Sequence, residues 1–217
     1  MKCTLKIILL LAFSSIHLFA CAQKKNNHQH NPMNESTTNM KLDTATFGAG
    51  CFWCVEAQFQ QLKGVVKVES GFSGGQVEHP TYKQVCTGQT GHAEVTNIYY
   101  NPAVISFDEL LAAFWGAHDP TQLNRQGEDV GTQYRSVIYY HNDEQKQKAE
   151  IYKKSINEEH AYPSNVVTEI SPFTVFYKAE EYHQNYYREN GSQPYCMFVI
   201  KPKLEKFQKV FKEKLKK

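Results

Sequence analysis

Two cysteines stand three residues apart in Gly48-Ala-Gly-Cys51-Phe-Trp-Cys54. The glycines permit a tight turn from a strand into a helix, which would place Cys51 at or near the helix N-terminus. Free N–H groups and the positive dipole end favour a thiolate there. The thiolate is the attacking form, and such sites lower a cysteine pKa from about 8.5 by one or more units. A buried, inert cysteine is the competing reading; the aromatic pair and the second cysteine argue against it. Phe52 and Trp53 beside a nucleophile would form an apolar wall suited to an uncharged substrate with a small alkyl group. Taken alone, they read equally well as core residues.

Gly88-Gln-Thr-Gly91 is a turn that feeds a strand through Gly91-His-Ala-Glu94. On the inward face of that strand, Glu94 would have a raised pKa and could donate a proton. On the outward face it would be an ordinary surface glutamate. Gly131-Thr-Gln-Tyr134-Arg-Ser136, preceded by Asp129, could bring a phenol and a carboxylate to one rim, and Tyr82 in Pro80-Thr-Tyr82 is a comparable loop phenol. With 13 tyrosines in the chain, a structural role is the default for each one.

These residues need elements to hold them. Thr44–Phe47 reads as a strand, Gly48-Ala-Gly50 as a turn, and residues 53–62 as a helix that Gly64 ends. Strands follow at 65–72, at 93–100 and at 136–140. Ser106 and Glu109 form a capping box for a helix through Leu110, Leu111, Phe114 and Trp115. Asn142 caps a helix over residues 143–158. The order over residues 44–140 predicts an α+β fold, a two-layer α/β sandwich with a ferredoxin-like split βαβ core. From Lys201 the chain holds eight lysines and two glutamates. Leu204, Phe207, Val210, Phe211 and Leu215 make this stretch an amphipathic C-terminal helical extension, packed on the domain with a solvated basic face.

A chain of 217 residues has room for one ordinary domain or two small ones. Its 41% apolar and 13% aromatic content excludes wholesale disorder. A net charge of +2 gives no support to nucleic-acid binding. Six cysteines are too sparse for a disulfide scaffold. Lys2 and Lys6, the apolar run Ile7–Phe13 and the lack of acids before Glu35 read as a secretory signal. Leu18-Phe-Ala-Cys21 resembles the lipobox of bacterial lipoproteins. That resemblance implies a signal peptide over 1–20, a lipid on Cys21, and an exported, membrane-anchored lipoprotein of the periplasm or cell envelope. An ordinary signal peptide with a chance cysteine is the alternative. Residues 21–42 are a polar tether in which His28 and His30 are solvated. Without residues 1–20 the chain balances at 22 Lys+Arg against 22 Asp+Glu.

Gly50-Cys-Phe-Trp53, Gly71-Phe-Ser-Gly-Gly75, Gly91-His-Ala-Glu94 and Gly131-Thr-Gln-Tyr-Arg-Ser136 follow one another at characteristic spacing. Together they resemble the A-type peptide-methionine sulfoxide reductases over roughly residues 43–200, with a catalytic domain over 43–217. The resemblance implies that Cys51 attacks the sulfoxide sulfur and Glu94 protonates the oxygen. It further implies that Tyr82 and Tyr134 hydrogen-bond that oxygen, that Asp129 supports the polar side, and that Phe52 and Trp53 hold the methyl group. The implied substrate is the S epimer of methionine sulfoxide, free or in proteins, in repair under oxidative stress by a monomer. No metal, flavin or nucleotide is implied.

A sulfenic acid left on Cys51 must be resolved by another thiol. Cys54, in C-x-x-C spacing, and Cys196, where many family members carry a recycling cysteine, are the two candidates, with Cys86 third. A thioredoxin-like dithiol would then reduce the disulfide. The glycine-rich run that often surrounds the recycling cysteine is missing; Met-Phe-Val-Ile-Lys-Pro-Lys follows Cys196 and reads as a strand leading to a helix. A thioredoxin-like disulfide oxidoreductase built on Cys51 and Cys54 leaves the Glu94 and Tyr134 segments without a purpose. A zinc-binding lipoprotein lacks a second cysteine pair.

Overall fold

The computed structural model describes residues 41–217. The leader, Cys21 and all but the end of the tether lie outside the described residues. Four strands form the core: β1 (Asp43–Ala49), β2 (Val65–Ser73), β3 (Ala93–Tyr100) and, after two short strands β4 (Arg125–Gln126) and β5 (Asp129–Val130), β6 (Ser136–Tyr140). They lie in the order β6-β1-β3-β2 and every neighbouring pair is antiparallel. Helix α1 (Phe52–Phe59) connects β1 to β2. After the short α2 (Tyr82–Val85), α3 (Phe107–Ala117) lies on the connection from β3 to β6. This is the expected split βαβ arrangement. Two short strands extend its edges: β7 (Glu169–Pro172), parallel to β6, and β8 (Tyr177–Lys178), antiparallel to β2.

The helical layer seals a core around Phe47, whose ring lies 4.9 Å from that of Phe114 and 5.8 Å from that of Phe59. Each such fully buried side chain contributes about 1.5–3 kcal/mol relative to exposure. The caps act as expected. Ser106 Oγ accepts from the Glu109 amide at 3.2 Å, and Glu109 Oε2 accepts from the Ser106 amide at 2.8 Å. Asn142 Oδ1 accepts from the Gln145 amide at 2.9 Å and starts α4 (Asp143–Glu158). Each cap is worth about 1 kcal/mol.

Three expectations need correction. Helix α1 ends at Phe59, short of residue 62, because Gly64 at φ +85° turns the chain tightly against Ile105. Residues 196–200 form no strand; they make a wide π-type helical turn in which the Lys201 amide reaches the Cys196 carbonyl, and they run into α6 (Lys201–Val210). Cys196 and Ile200 are both buried, a spacing that suits a helix, so tertiary packing overrides the β-propensity of Phe-Val-Ile. Pro202 has no N–H to donate and is tolerated in the first turn of α6. Last, α6 buries Leu204 and Phe207 but stops at Val210, which is 61% exposed. Leu215 instead bridges to Leu62 in an extended pairing.

Candidate active site

The carboxyl end of β1 and the start of α1 define the site. Gly50, at φ +90°, turns the chain, and Cys51 is the N-cap of α1. A Cβ on Gly50 would come within 2.6 Å of the Gln126 Cβ, so the turn needs glycine for space as well as for φ. The first free amide of the helix, that of Phe52, donates to Glu94 Oε2 at 3.0 Å. Glu94 is 1% exposed on β3. Burial, with the Cys51 sulfur adding to it, pushes its carboxyl well above the ordinary range and holds it protonated.

Cys51, Cys54 and Cys196 belong to one buried cluster with Ala57 and Ile200, bordered by Tyr134 and Tyr195. All three are free cysteines. Helix position alone suggests a thiolate on Cys51, whereas burial pushes the Cys51 thiol up. The neighbouring Cys51 thiol brings Cys54 down, and the ammonium of Lys203, 3.9 Å from the Cys54 sulfur, adds to that effect. The Phe52 amide at the helix start is taken by Glu94.

An apolar side faces this polar one. Phe52 packs with Phe72, Val85 and Ala179, and Tyr82 stacks on it at 6.1 Å. The Tyr186 ring, at the start of α5 (Tyr186–Asn190), lies 3.7 Å from that of Trp53 and within 8° of parallel. Burial and the nearby Glu94 carboxyl raise both Tyr82 and Tyr134, so both phenols stay protonated as donors. Asp129 accepts from the Tyr195 hydroxyl at 2.8 Å. The structure thus gathers Cys51, Cys54, Cys196, Glu94, Phe52, Trp53, Tyr82, Asp129 and Tyr134 at one end of the sheet. Cys86 is exposed, at the end of α2, where its amide donates to the Tyr82 carbonyl at 2.9 Å.

Sequence reasoning missed five residues of this region. Tyr195 donates its hydroxyl to Asp129 at the border of the cysteine cluster. Lys203 faces Cys54. His183 accepts from the Trp53 indole. Glu180 accepts from the Tyr82 amide at 3.1 Å. Glu56, on α1, accepts from the Asn185 and Tyr186 amides at 2.9 and 3.3 Å. Only Tyr195 had a signal to offer, its place beside Cys196.

A split βαβ sandwich with a buried cysteine pair, a neutral carboxyl and an aromatic wall at one sheet end defines a cysteine-based oxidoreductase. Comparison with known proteins narrows the class. Residues 43–215 match the family model described as peptide methionine sulfoxide reductase. The chain is 51% identical over 172 residues to the peptide methionine sulfoxide reductase MsrA of Natronomonas pharaonis, covering 79% of this chain and 97% of that one. It is 55% identical over 175 residues to the MsrA of Nautilia profundicola, covering 81% and 99%. Reduced Mxr1 from Saccharomyces cerevisiae superimposes with a TM-score of 0.67 at 35% identity, over 72% of this chain and 90% of that one. Methionine sulfoxide reductase A of Corynebacterium diphtheriae gives 0.62 at 37%, over 69% and 75%. The chain belongs to the peptide methionine sulfoxide reductase family, in its A-type branch. Its enzyme class is that of the peptide-methionine (S)-S-oxide reductases, which reduce methionine sulfoxide.

Proposed function

We propose that the enzyme reduces methionine S-sulfoxide, free or in proteins, through a sulfenic acid on Cys51 and a disulfide recycled by a thioredoxin-like dithiol. The observation that carries the reading is the Phe52 amide bond to Glu94, which sets a protonated carboxyl beside the attacking cysteine. Cys51 passes its proton to a thiolate on Cys54, its neighbour in the same buried cluster, as its sulfur attacks the substrate sulfur. Glu94 gives its proton to the sulfoxide oxygen, which becomes a hydroxyl. Tyr82 and Tyr134 donate to that oxygen, with Asp129 and Tyr195 on the polar side. Phe52 and Trp53 hold the methyl group. The hydroxyl passes from the substrate sulfur to the Cys51 sulfur as the bond between the two sulfurs breaks, so methionine leaves and Cys51 is left as a sulfenic acid. A neighbouring thiol then attacks the Cys51 sulfur, its proton leaves with the hydroxyl as water, and a disulfide remains. Lys203 beside Cys54 favours Cys54 for this step, and Cys196 lies buried in the same cluster. Two electrons from an external dithiol restore the thiols. In the cell this chemistry would repair oxidised proteins.

The test is reduction of a methyl sulfoxide with dithiothreitol, run beside reduction of insulin disulfides. Turnover of the sulfoxide is expected. Activity in the insulin assay alone would return the chain to the disulfide oxidoreductases. The leader supports a second, separate proposal: Cys21 carries lipid and anchors the enzyme to a membrane of the cell envelope. Mass spectrometry of the mature N-terminus should find an acylated cysteine; an unmodified one would refute the anchor.

A further inference from the structure

The segment between β8 and α5 carries a buried polar chain that no step above uses. The Trp53 indole N–H donates to His183 Nδ1 at 3.1 Å. An indole nitrogen can only donate. His183 Nδ1 must therefore carry the lone pair, and the proton of the neutral ring sits on Nε2. Nε2 is buried and has no hydrogen-bond partner among the described residues. It faces Glu180 Oε2 at 3.9 Å, which is also buried and without a partner among them. The other oxygen, Glu180 Oε1, holds the amide of Tyr82. Two orphaned buried polar atoms facing each other, one donor and one acceptor, are unusual enough to need a reason.

Tyr82, Glu180, His183 and Trp53 thus stand in sequence between one wall of the substrate pocket and the other, hydrogen-bonded at both ends, with the 3.9 Å approach of Glu180 to His183 between. His183 is 1% exposed, with its ring 5.3 Å from that of Phe52 and 4.2 Å from that of Tyr82. Burial holds its pKa below the usual histidine value and keeps the ring neutral. Stacking on Tyr186 alone fixes the indole plane but leaves it free to slide and to turn over within that plane. A hydrogen bond to the indole nitrogen removes both freedoms.

We propose that His183, its tautomer set by the Trp53 indole N–H, is a positioning residue that fixes that indole and so limits the pocket to a small alkyl group on sulfur. The inference rests on the reading of Trp53 as a wall for the substrate methyl. Bulkier alkyl sulfoxides are excluded because the indole edge cannot move aside, and loss of the acceptor frees it.

The experiment compares methionine sulfoxide with its ethyl homologue, ethionine sulfoxide, in three proteins. His183→Phe keeps a buried ring and removes the acceptor. His183→Asn restores an acceptor near the position of Nδ1. In His183→Phe the methyl-over-ethyl ratio of kcat/KM should fall about tenfold, the scale of one lost buried hydrogen bond. The asparagine variant should recover most of that ratio. A ratio unchanged in His183→Phe, or one lost equally in both variants, overturns the proposal. An NMR measurement on the wild-type protein needs no variant to fold: His183 should show an unprotonated Nδ1 and a protonated Nε2, and the opposite tautomer overturns the assignment. A wild-type enzyme that reduces neither sulfoxide would instead refute the reading of the active site, which separates the two failures.

Discussion

The amide of Phe52 and the carboxyl of Glu94 meet at 3.0 Å across the boundary between α1 and β3. One bond thus fixes the start of the catalytic helix and the direction of the proton donor. Glutamine at position 94 keeps an oxygen for that amide, so Glu94→Gln should fold normally. It cannot supply an acidic proton. The single-turnover sulfoxide step should slow by about 10²- to 10⁴-fold, the usual worth of a general acid, with substrate affinity little changed. Because burial raises the Glu94 pKa, the wild-type donor stays loaded beyond the ordinary carboxylate range and is lost as pH rises through that raised value. The alkaline limb of the single-turnover profile should vanish in the variant. Kinetics equal to wild type would remove Glu94 from the acid role.

Gly50→Ala tests the turn that presents Cys51. The new Cβ would meet Gln126, whose side chain clasps the backbone of Asp119 through bonds of 3.2 and 2.9 Å, and φ is +90°. Strain and overpacking of this kind cost about 1–3 kcal/mol. Urea unfolding should show that loss, and kcat should fall with it, since a displaced Cys51 no longer lines up with Glu94. A variant with wild-type stability and turnover would show that the turn tolerates a side chain.

Local signals made much of this protein readable from sequence. The capping residues Ser106 and Asn142 and the glycine turn before Cys51 act within a few residues of themselves. They fix the elements, and the split βαβ order then brings Cys51 and Glu94 to one sheet end. What stayed hidden depends on distant partners. Strand β3 reads as half-exposed, yet it is buried on both faces because Phe173 and Phe176 cover the second one. Glu180, His183 and Glu56 carry no local mark of a role. Their significance arises only when the chain beyond β8 folds back onto α1. The upward push on the Cys51 thiol was hidden for a related reason: a helix N-terminus favours a thiolate locally, but burial, which acts the other way, is a tertiary fact.

Lys203 and Cys54 offer a test of the resolving step. Removing the ammonium in Lys203→Met takes away one cause of the lowered Cys54 pKa, so that pKa should rise. Alkylation of Cys54, followed by mass spectrometry against pH, should shift upward accordingly. The burst of methionine from the first turnover should be preserved, while the rate of disulfide formation falls several-fold near neutral pH. The pairing partner is read from the oxidised enzyme: Cys54→Ser should shift the disulfide to Cys51–Cys196 and slow its formation. Undiminished turnover in Cys54→Ser would give the resolving role to Cys196.

Glu56 supplies a pH signature of stability. It lies buried on α1, and burial raises its pKa from 4.5 to about 7, against the lowering effect of the Asn185 and Tyr186 amides. A carboxyl whose pKa is raised on folding stabilises the fold fully below its unfolded value. That contribution is lost as pH rises through the folded value. Glutamine is neutral throughout and has no such slope. The stability of Glu56→Gln relative to wild type should therefore increase between pH 4.5 and 7 and level off above, by at most about 3 kcal/mol for a shift of this size. The comparison uses the change in the difference between the proteins, so a constant penalty from the glutamine amide facing the Tyr186 N–H cancels. Urea unfolding at pH 5 and pH 8 on both proteins provides the four numbers required. A difference that stays flat across the window would mean that Glu56 ionises in the folded protein as readily as in the unfolded chain. The two backbone amides would then outweigh its burial.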